Sequence, residues 1–365
     1  MTRQNNFIKV LNCILAPICA ALFAVFLILI IKSAVELDSN LSVNARPLEK
    51  GLCVEDPGKL GTEIFVPARG ITFDTSKHIR IIPGGTYQIN WALTPDESFE
   101  SLYWYSAKQK YATVSQDGMI TGLEKGETVI FAETFDRSVR QNVVVTVTEM
   151  PKRILNVPYI NQLRDYPNGC ESCSTVMALN HVGIDITVDD FIEDYLDMCE
   201  VPYHDKDGRY VGHTPWEYFL GDPRLSTGLC CYAPVIINAL EKFVDPDEYL
   251  VEEHYNVPLD ELCRDYINNG IPIIFWGTMY MRNPYYMNWT WHVLGGGEDD
   301  TFTWVAPMHC LLLVGYDDEF YYFNDPVAGK GVAYSKEDTE LAYEGLYMQA
   351  VTVSRRSNSR FEITG

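Results

Sequence analysis

Residues 309–326 read HCLLLVGYDDEFYYFNDP, so two apolar runs flank a pair of aspartates. Apolar runs of about four to eight residues bounded by turn-forming residues are typical of buried strands. This stretch therefore predicts a β-hairpin that turns at Asp317 and Asp318. Two further apolar runs predict additional strands, IPIIFWGTM at 271–279 and LYMQAVTVS at 346–354.

The segment that precedes these strands has the pattern of helices. Apolar residues at 176–179 predict one side of a helix that begins at Cys170. Thr187 is predicted to cap a second helix, and Pro234 to begin a third. Helices followed by an antiparallel sheet predict an α+β domain, which we assign to residues 150–365.

Residues 69–149 have a different pattern. Short alternating runs such as LYWYS and VVVTVT are separated by Gly, Pro, Asp and Ser. Gln116, Asp117 and Gly118 form a strong tight-turn signal between two of these runs. The segment therefore predicts an all-β sandwich of about 80 residues.

The N-terminus predicts a membrane anchor. Residues 10–31 are apolar and uncharged, and a helix needs about 20 such residues to cross a bilayer. Arg3 and Lys9 precede this run, so the positive-inside rule assigns the N-terminus to the cytoplasm. A cleaved signal peptide is the alternative, although its apolar core is normally only about 7 to 15 residues long. We expect three segments: a cytoplasmic tail at 1–9, a single transmembrane anchor at 10–32 and an extracellular stalk at 33–68.

The composition excludes one class of partner. The chain has 365 residues, a formal net charge of -22 and a pI near 4.6. Nucleic-acid recognition needs clustered lysines and arginines, and the sequence contains no basic stripe. We therefore expect no nucleic-acid partner. The content of 47% hydrophobic and 21% charged residues is typical of globular domains with sizeable cores.

Cys170 is the first candidate catalytic residue, because a thiol at a helix N-terminus can have a depressed pKa and act as a nucleophile. Of the seven histidines, His309 is the best partner, since it opens an apolar strand that would hold its ring. Asp325 ends the second strand of the hairpin and can orient the imidazole. Asn324 is the alternative for that role, but neighbouring strand residues face opposite sides. Gln162 would supply an amide to an oxyanion hole, together with the backbone N–H of Cys170.

The sandwich segment contains Trp104, then ATVSQDGMITGLEKGETVIFAET and a closing VVVTVT strand. In these motifs it resembles the bacterial immunoglobulin-like domains of group 2, which occur as spacers and adhesion modules on surface proteins. The resemblance implies a spacer without catalytic residues, or a module that binds a glycan or a host protein.

The C-terminal segment contains four motifs in order: VPYINQLRDYPNGCESCSTVMALNHVGIDITVDDFI, FLGDPRLSTGLCCYAPVIINALEKF, GIPIIFWGT and HCLLLVGYDDEFYYFNDP. In these motifs it resembles the bacterial cysteine-peptidase family thirty-nine-like domains, papain-like relatives of the peptidases that trim double-glycine leaders. The resemblance implies Cys170 as nucleophile, His309 as general base, Asp325 as orienting acid and Gln162 as oxyanion donor. Leader trimming itself is not expected, because those peptidases face the cytoplasm and are fused to an exporter.

The spacing of Cys170 and Cys173 leaves other interpretations open. The two thiols could form a redox pair, bind zinc with His309 and Cys310, or both be buried and inert. A disulfide between them that inactivates the enzyme is a further possibility. Six aromatic residues either line a substrate cleft or pack in the core: Trp276, Tyr285, Tyr286, Trp289, Trp291 and Trp304.

The sequence thus predicts a membrane-anchored extracellular cysteine peptidase that cleaves peptide or amide bonds through a thioester acyl-enzyme, without cofactor or metal. The expected partners are a peptide or protein substrate, the membrane through the N-terminal helix, and a cell-wall or host surface through the sandwich. Two alternatives stay open. One is a catalytically degenerate binding or adhesion module, and the other is an amidase or transpeptidase that uses the same triad on cell-wall peptides.

Overall fold

The computed structural model describes residues 66–76 and 78–356. The predicted tail, the predicted anchor at 10–32 and almost all of the predicted stalk lie outside these residues. In the described ranges, no helix combines the length and the apolar character needed to cross a membrane.

The first nine strands form a β-sandwich, as the sequence predicted, and we call them the sandwich domain. Buried and exposed residues alternate along them: in β5, Leu102 and Trp104 point into the core while Tyr103 is exposed. This period of two is what a half-buried strand requires. The strands are β1 (Gly70–Asp74), β2 (Ile79–Ile81), β3 (Thr86–Gln88), β4 (Asn90–Thr94), β5 (Leu102–Ser106), β6 (Ala112–Val114), β7 (Met119–Gly122), β8 (Gly126–Thr134) and β9 (Arg140–Val147).

The rest of the described chain is the predicted α+β domain. Thr187 caps its second helix by accepting a hydrogen bond from the Asp190 backbone N–H, and Pro234 lies in the first turn of the third, both as predicted. The helices are α1 (Cys170–His181), α2 (Val188–Asp194), α3 (Ala233–Glu241), α4 (Leu259–Asp265) and α5 (Lys336–Gly345), with short 3-10 turns at Ile267–Asn269 and Met279–Met281. The strands are β10 (Arg153–Ile154), β11 (Met198–Cys199), β12 (Tyr203–His204), β13 (Tyr210–Gly212), β14 (Phe219–Leu220), β15 (Tyr249–Tyr255), β16 (Ile273–Thr278), β17 (Tyr285–Val293), β18 (Thr301–Ala306), β19 (Met308–Tyr316), β20 (Phe320–Asp325), β21 (Gly329–Ser335) and β22 (Gln349–Arg355).

The predicted hairpin lies at the centre of an antiparallel sheet with the order β15-β22-β16-β19-β20-β21. Strands β19 and β20 pair with Leu312 opposite Asn324. Asp317 stabilises the turn, since its carboxylate accepts hydrogen bonds from the backbone N–H groups of Glu319 and Phe320 at 2.9 and 2.8 Å. The start of β19 and the end of β20 therefore lie at the same end of the hairpin.

Helix α1 packs on one face of this sheet and is buried from its first residue through Leu179. Alternate residues of β19 face opposite sides. Leu312 packs in the core shared with α1, whereas Leu313 packs in the core on the other face. Each fully buried aliphatic side chain contributes about 1.5–3 kcal/mol, so packing rather than helix propensity holds α1 in place.

The sheet continues from the α+β domain into the sandwich domain. Ile81 of β2 pairs with Val332 of β21, and β2 pairs in turn with β9. Residues of both domains also share one hydrophobic core. This contact pairs backbone groups at the edges of the two sheets, which an isolated domain would leave unpaired. The predicted boundary near residue 149 separates two modules in sequence, but the two domains are joined by backbone pairing.

Candidate active site

Cys170 is the first residue of α1, as the sequence predicted. The residue before it must be small, because a Cβ on Gly169 would lie 2.6 Å from the Cβ of Tyr166. The helix begins with the bond from the Cys173 backbone N–H to the Gly169 carbonyl, at 2.9 Å. This local packing fixes the position of the Cys170 side chain, which is 7% exposed.

His309 and Asp325 form a buried pair in which Nε2 and Oδ1 are 2.8 Å apart. Because Nε2 is engaged with the carboxylate, it carries the proton of the neutral ring, and Nδ1 is the nitrogen that can accept one. Asn324 faces the other way, and its side-chain amide donates to the Val157 carbonyl at 3.3 Å. Of the two residues considered for orienting His309, the structure therefore brings only Asp325 to it.

Asp325 is held by a dense set of donors. Its Oδ1 also accepts hydrogen bonds from the backbone N–H groups of Val327 and Ala328 at 2.9 and 3.0 Å, and its Oδ2 accepts one from the Tyr334 hydroxyl at 2.8 Å. Burial alone would raise the pKa of Asp325. The electrostatic effect and the hydrogen bond of His309, with these other donors, outweigh burial and hold that pKa below its ordinary value.

Gln162 connects the Asp325 turn to the loop before Cys170. Its backbone N–H donates to the Pro326 carbonyl at 3.0 Å, and its side-chain Nε2 donates to the Pro167 carbonyl at 3.2 Å. Its Oε1 is buried and has no hydrogen-bond partner among the described residues. An amide nitrogen carries two hydrogens, so one N–H of Gln162 is left for a substrate oxygen.

A cleft of about 380 Å³ brings the predicted residues together. Cys170, His309 and Gln162 line it, and Asp325 lies behind His309. Asp74 and Asn90 of the sandwich domain line the same cleft. The remaining wall is mostly apolar and includes Leu163, Leu229, Met279, Trp304, Pro307 and Met308.

The expected depression of the Cys170 pKa is wrong for this structure. Burial raises the pKa of the Cys170 thiol well above its ordinary value, and the neighbouring Glu171 carboxylate raises it further, while the backbone N–H of Cys310 lowers it. The thiol donates to Oε2 of Glu171 over a distance of 3.1 Å. The helix N-terminus is present, but burial against a carboxylate outweighs it. Burial and the Glu171 carboxylate therefore favour the neutral thiol of Cys170 over its thiolate.

Glu171 is a site residue that the sequence reasoning missed. It is fully buried, and its second oxygen, Oε1, accepts a hydrogen bond from the Cys231 backbone N–H at 2.9 Å. Burial raises the pKa of Glu171 to about 7, against the lowering effects of that N–H and of His309. The signal in the sequence was the lone charged residue between positions 170 and 180. A buried carboxylate of perturbed pKa in a cleft is typical of functional sites.

In residues 66–76 and 78–356 the redox-pair and zinc interpretations of Cys170 and Cys173 receive no structural support, whereas both residues are buried free thiols, as the third interpretation expected. All seven described cysteines are free thiols. Cys173 is fully buried, and burial raises the pKa of its thiol. In the same residues no group of three or more His, Cys, Asp and Glu side chains is arranged to hold a metal ion, including the set formed by Cys170, Cys173, His309 and Cys310.

The six aromatic residues divide between the two predicted roles. Trp304 lines the cleft, whereas Trp276 and Trp291 are buried in the core shared with α1. Tyr285 and Tyr286 are exposed on β17, and Trp289 packs beside Trp291 with ring centroids 5.5 Å apart. Only one of the six therefore reaches the cleft.

Comparison with known families assigns both segments of the described chain. Residues 154–351 match the Peptidase_C39 like family, and residues 68–147 match the Bacterial Ig-like domain (group 2). Both resemblances inferred from the sequence motifs are confirmed. Since the first match covers more than half of the chain, the chain belongs to the Peptidase_C39 like family, with a group 2 Ig-like domain before the peptidase domain.

Individual relatives are distant. The chain is 26% identical over 205 residues to the uncharacterized protein YvpB of Bacillus subtilis (strain 168). The aligned region spans 55% of this chain and 76% of that protein. A crystal structure from Bacillus anthracis, named as a C39-like peptidase, aligns with a TM-score of 0.48 at 22% identity, over 56% of this chain and 99% of that one. Domains 4 and 5 of the S-layer protein SbsC align with a TM-score of 0.20 at 19% identity, over 22% of this chain and 53% of that one.

Proposed function

We propose that the α+β domain is a cysteine peptidase in which Cys170 is the nucleophile, His309 the general base and Asp325 the group that orients His309. One observation carries the proposal. The His309–Asp325 pair is buried, with Nε2 and Oδ1 2.8 Å apart, and His309 lines the same cleft as Cys170. A base that is itself oriented by a third group, beside a candidate nucleophile, is the general arrangement of nucleophilic catalysis.

The reaction begins with transfer of the Cys170 proton to Nδ1 of His309. The sulfur then attacks the carbonyl carbon of the scissile amide, and Asp325 stabilises the imidazolium. The amine leaves with the proton from His309, and the acyl group remains on Cys170 as a thioester. Water gives a proton to His309 as it attacks the thioester, and the thiolate that leaves regains that proton from His309.

The developing oxyanion needs donors on the opposite side of the carbonyl. The backbone N–H of Cys170 and the second N–H of Gln162 Nε2 are the groups we assign to it. Removing one such donor costs about 10²–10³-fold in kcat in comparable sites.

The resting state of the thiol determines when the nucleophile forms. Burial raises the pKa of Cys170, and Glu171 raises it further, so these surroundings favour the thiol over the thiolate in the resting chain. In this proposal, the thiolate forms only when substrate occupies the cleft and His309 accepts the proton. A permanently reactive thiolate outside the cell would be open to oxidation, and this arrangement avoids it.

The location is proposed from the sequence. The uncharged apolar run at 10–31, preceded by Arg3 and Lys9, supports a single membrane anchor with the two folded domains outside the cell.

A binding module without catalysis is the second candidate, and the raised pKa of the Cys170 thiol favours it. A buried thiol bonded to a carboxylate is a weak nucleophile unless its proton can leave. In that case the cleft would hold a peptide without cleaving it.

The test is cleavage of a peptide mixture of varied sequence that includes cell-wall stem peptides, with the new termini identified by mass spectrometry. We expect the full chain to cleave and the Cys170→Ala and His309→Ala variants to be inactive. Cys199→Ser is the matched control, because Cys199 is a partly exposed thiol outside the cleft. If the full chain binds peptides as tightly as Cys170→Ala does and cleaves none, the second candidate is correct.

A further inference from the structure

The sandwich domain contributes directly to the cleft. Asp74, the last residue of β1, and Asn90, the first residue of β4, lie opposite each other in the β1–β4 pair. Both side chains line the cleft that Cys170 and His309 also line. A spacer, which is one of the two roles predicted for this domain, has no need to reach the catalytic cleft.

Tyr280 of the α+β domain fixes this pair of residues at the cleft. Its hydroxyl donates to the backbone carbonyl of Asp74 at 3.0 Å and accepts from the side-chain amide of Asn90, also at 3.0 Å. Arg282 forms an ion pair with Oδ1 of Asp74 and donates to the Thr75 carbonyl at 3.3 Å. The Tyr280 side chain is only 5% exposed, so its two hydrogen bonds are made from a buried position, whereas the Arg282–Asp74 ion pair is exposed.

A second group of contacts ties the sandwich domain to the turn after Asp325. The backbone N–H of Gln88 donates to the Ala328 carbonyl at 2.6 Å. Gly329 lies so close to β3 that a Cβ would be 1.9 Å from the Thr86 carbonyl oxygen. Ala328 also donates its N–H to Asp325, so the turn that binds the Asp325 carboxylate is in direct contact with the sandwich domain.

The chemistry of the two sandwich residues limits what they can bind. The Asp74 side chain is 62% exposed, so its carboxylate can accept hydrogen bonds from a ligand in addition to its pair with Arg282. Asn90 uses its amide nitrogen on Tyr280, which leaves its amide oxygen to accept a peptide N–H. The apolar wall with Trp304 lies in the same cleft. A net charge of -22 also attracts cationic ligands to the protein.

We infer that Asp74 and Asn90 form a substrate subsite that selects a peptide carrying a basic side chain next to an apolar residue. The inference rests on the proposed function for the identity of the ligand as a peptide substrate. The sandwich domain is then part of the enzyme's specificity rather than a spacer alone.

The test compares two fluorescent peptides that differ at one position next to a tryptophan. One peptide has lysine at that position and the other has norleucine, its neutral isostere. Binding is measured by anisotropy on a full-length Cys170→Ala chain, and kcat/KM is measured on the chain with Cys170 intact. Asp74→Asn should reduce the preference for the lysine peptide at least about threefold. Asn90→Ala should weaken both peptides equally, because it removes an acceptor for the peptide backbone.

Two controls separate recognition from docking of the domain. Arg282→Gln breaks the ion pair but keeps the Asp74 carboxylate, so it should retain or increase the lysine preference. Glu124→Gln breaks the exposed Lys110–Glu124 pair of the same domain, outside the cleft, and should change nothing. An Arg282→Gln variant that loses the preference as Asp74→Asn does would overturn the inference.

The remaining outcomes are also decisive. Equal binding of both peptides by the parent chain, or binding of neither, overturns the inference. If the lysine preference depends on Asp74 in binding but the intact chain cleaves nothing, the subsite stands and the proposed peptidase activity fails. If the chain cleaves both peptides and Asp74→Asn has no effect, the peptidase stands and the subsite fails.

Discussion

The thiol of Cys170 donates a hydrogen bond to its chain neighbour Glu171, over 3.1 Å to Oε2. Both residues open α1 and both are buried. The hydrogen of the thiol is therefore directed at a carboxylate. In the proposed mechanism, transfer of that hydrogen to His309 has to break this contact, so Glu171 should influence both the stability of the site and the reactivity of the thiol.

Glu171→Gln is expected to flatten the pH dependence of stability. Burial raises the pKa of Glu171 from 4.5 to about 7, so the protonated form is favoured in the folded chain. The stability that protonated Glu171 contributes to the folded chain is fully present below the ordinary pKa of 4.5. It is lost as the pH rises through about 7. Between about pH 4.5 and pH 8, the free energy of unfolding of the parent chain should therefore fall by roughly 3 kcal/mol more than that of Glu171→Gln.

Urea denaturation of both chains across this pH range measures the difference. Glu97→Gln is the matched control, because Glu97 is exposed on the sandwich domain. It should follow the parent at every pH. An unchanged pH dependence in Glu171→Gln would mean that Glu171 is not a buried carboxyl of raised pKa.

Asp325→Asn is expected to lower kcat by about 10²–10⁴-fold, because a neutral amide cannot stabilise the imidazolium of His309. Steady-state cleavage of a substrate found with the peptide mixture measures the loss. Asn324→Ala is the matched control. Asn324 is the adjacent strand residue and faces the Val157 carbonyl, so its loss should reduce stability while kcat stays close to that of the parent. Equal losses of kcat in the two variants would argue against a specific role for Asp325.

Gln162→Ala is expected to lower kcat by about 10²–10³-fold with little change in KM, since an oxyanion donor acts on the transition state. Full initial-rate curves separate the two constants. Gln109→Ala, at an exposed position of the sandwich domain, should leave both unchanged. A rise in KM at constant kcat would instead assign Gln162 to substrate binding.

Gly329→Ala is expected to destabilise the chain by about 3 kcal/mol or more, because the new Cβ would meet the Thr86 carbonyl at 1.9 Å and the backbone has a φ of +154°. Gly208→Ala tests the conformational cost alone. Gly208 has a φ of +78° and nothing within 4 Å of the added Cβ, so we expect a loss of only about 1–2 kcal/mol. Guanidinium denaturation compares the two, and equal losses would show that the contact between Gly329 and β3 is unimportant.

The sequence predicts much of the site because the deciding signals are local. Alternation along a strand separates Asp325 from Asn324, and the hairpin brings the end of β20 beside the start of β19. The helix beginning at Cys170 follows from the apolar pattern at 176–179. These features depend on residues a few positions apart, which periodicity can resolve.

The features that the sequence does not predict depend on long-range packing. Asp74 and Asn90 reach the cleft only because β2 pairs with β21 and Tyr280 binds both residues. The raised pKa of Cys170 follows from burial, which a helix position alone cannot reveal. Glu171 was overlooked because a charged residue near a helix N-terminus is normally solvent-exposed.

The most direct test of the central claim is intact-mass spectrometry of an acid-quenched reaction between the full chain and a substrate peptide. We expect a thioester adduct located on Cys170 that His309→Ala abolishes and Cys199→Ser leaves unchanged. Substrate turnover without an adduct on Cys170, or an adduct on Cys170 that forms equally well in His309→Ala, would contradict the claim.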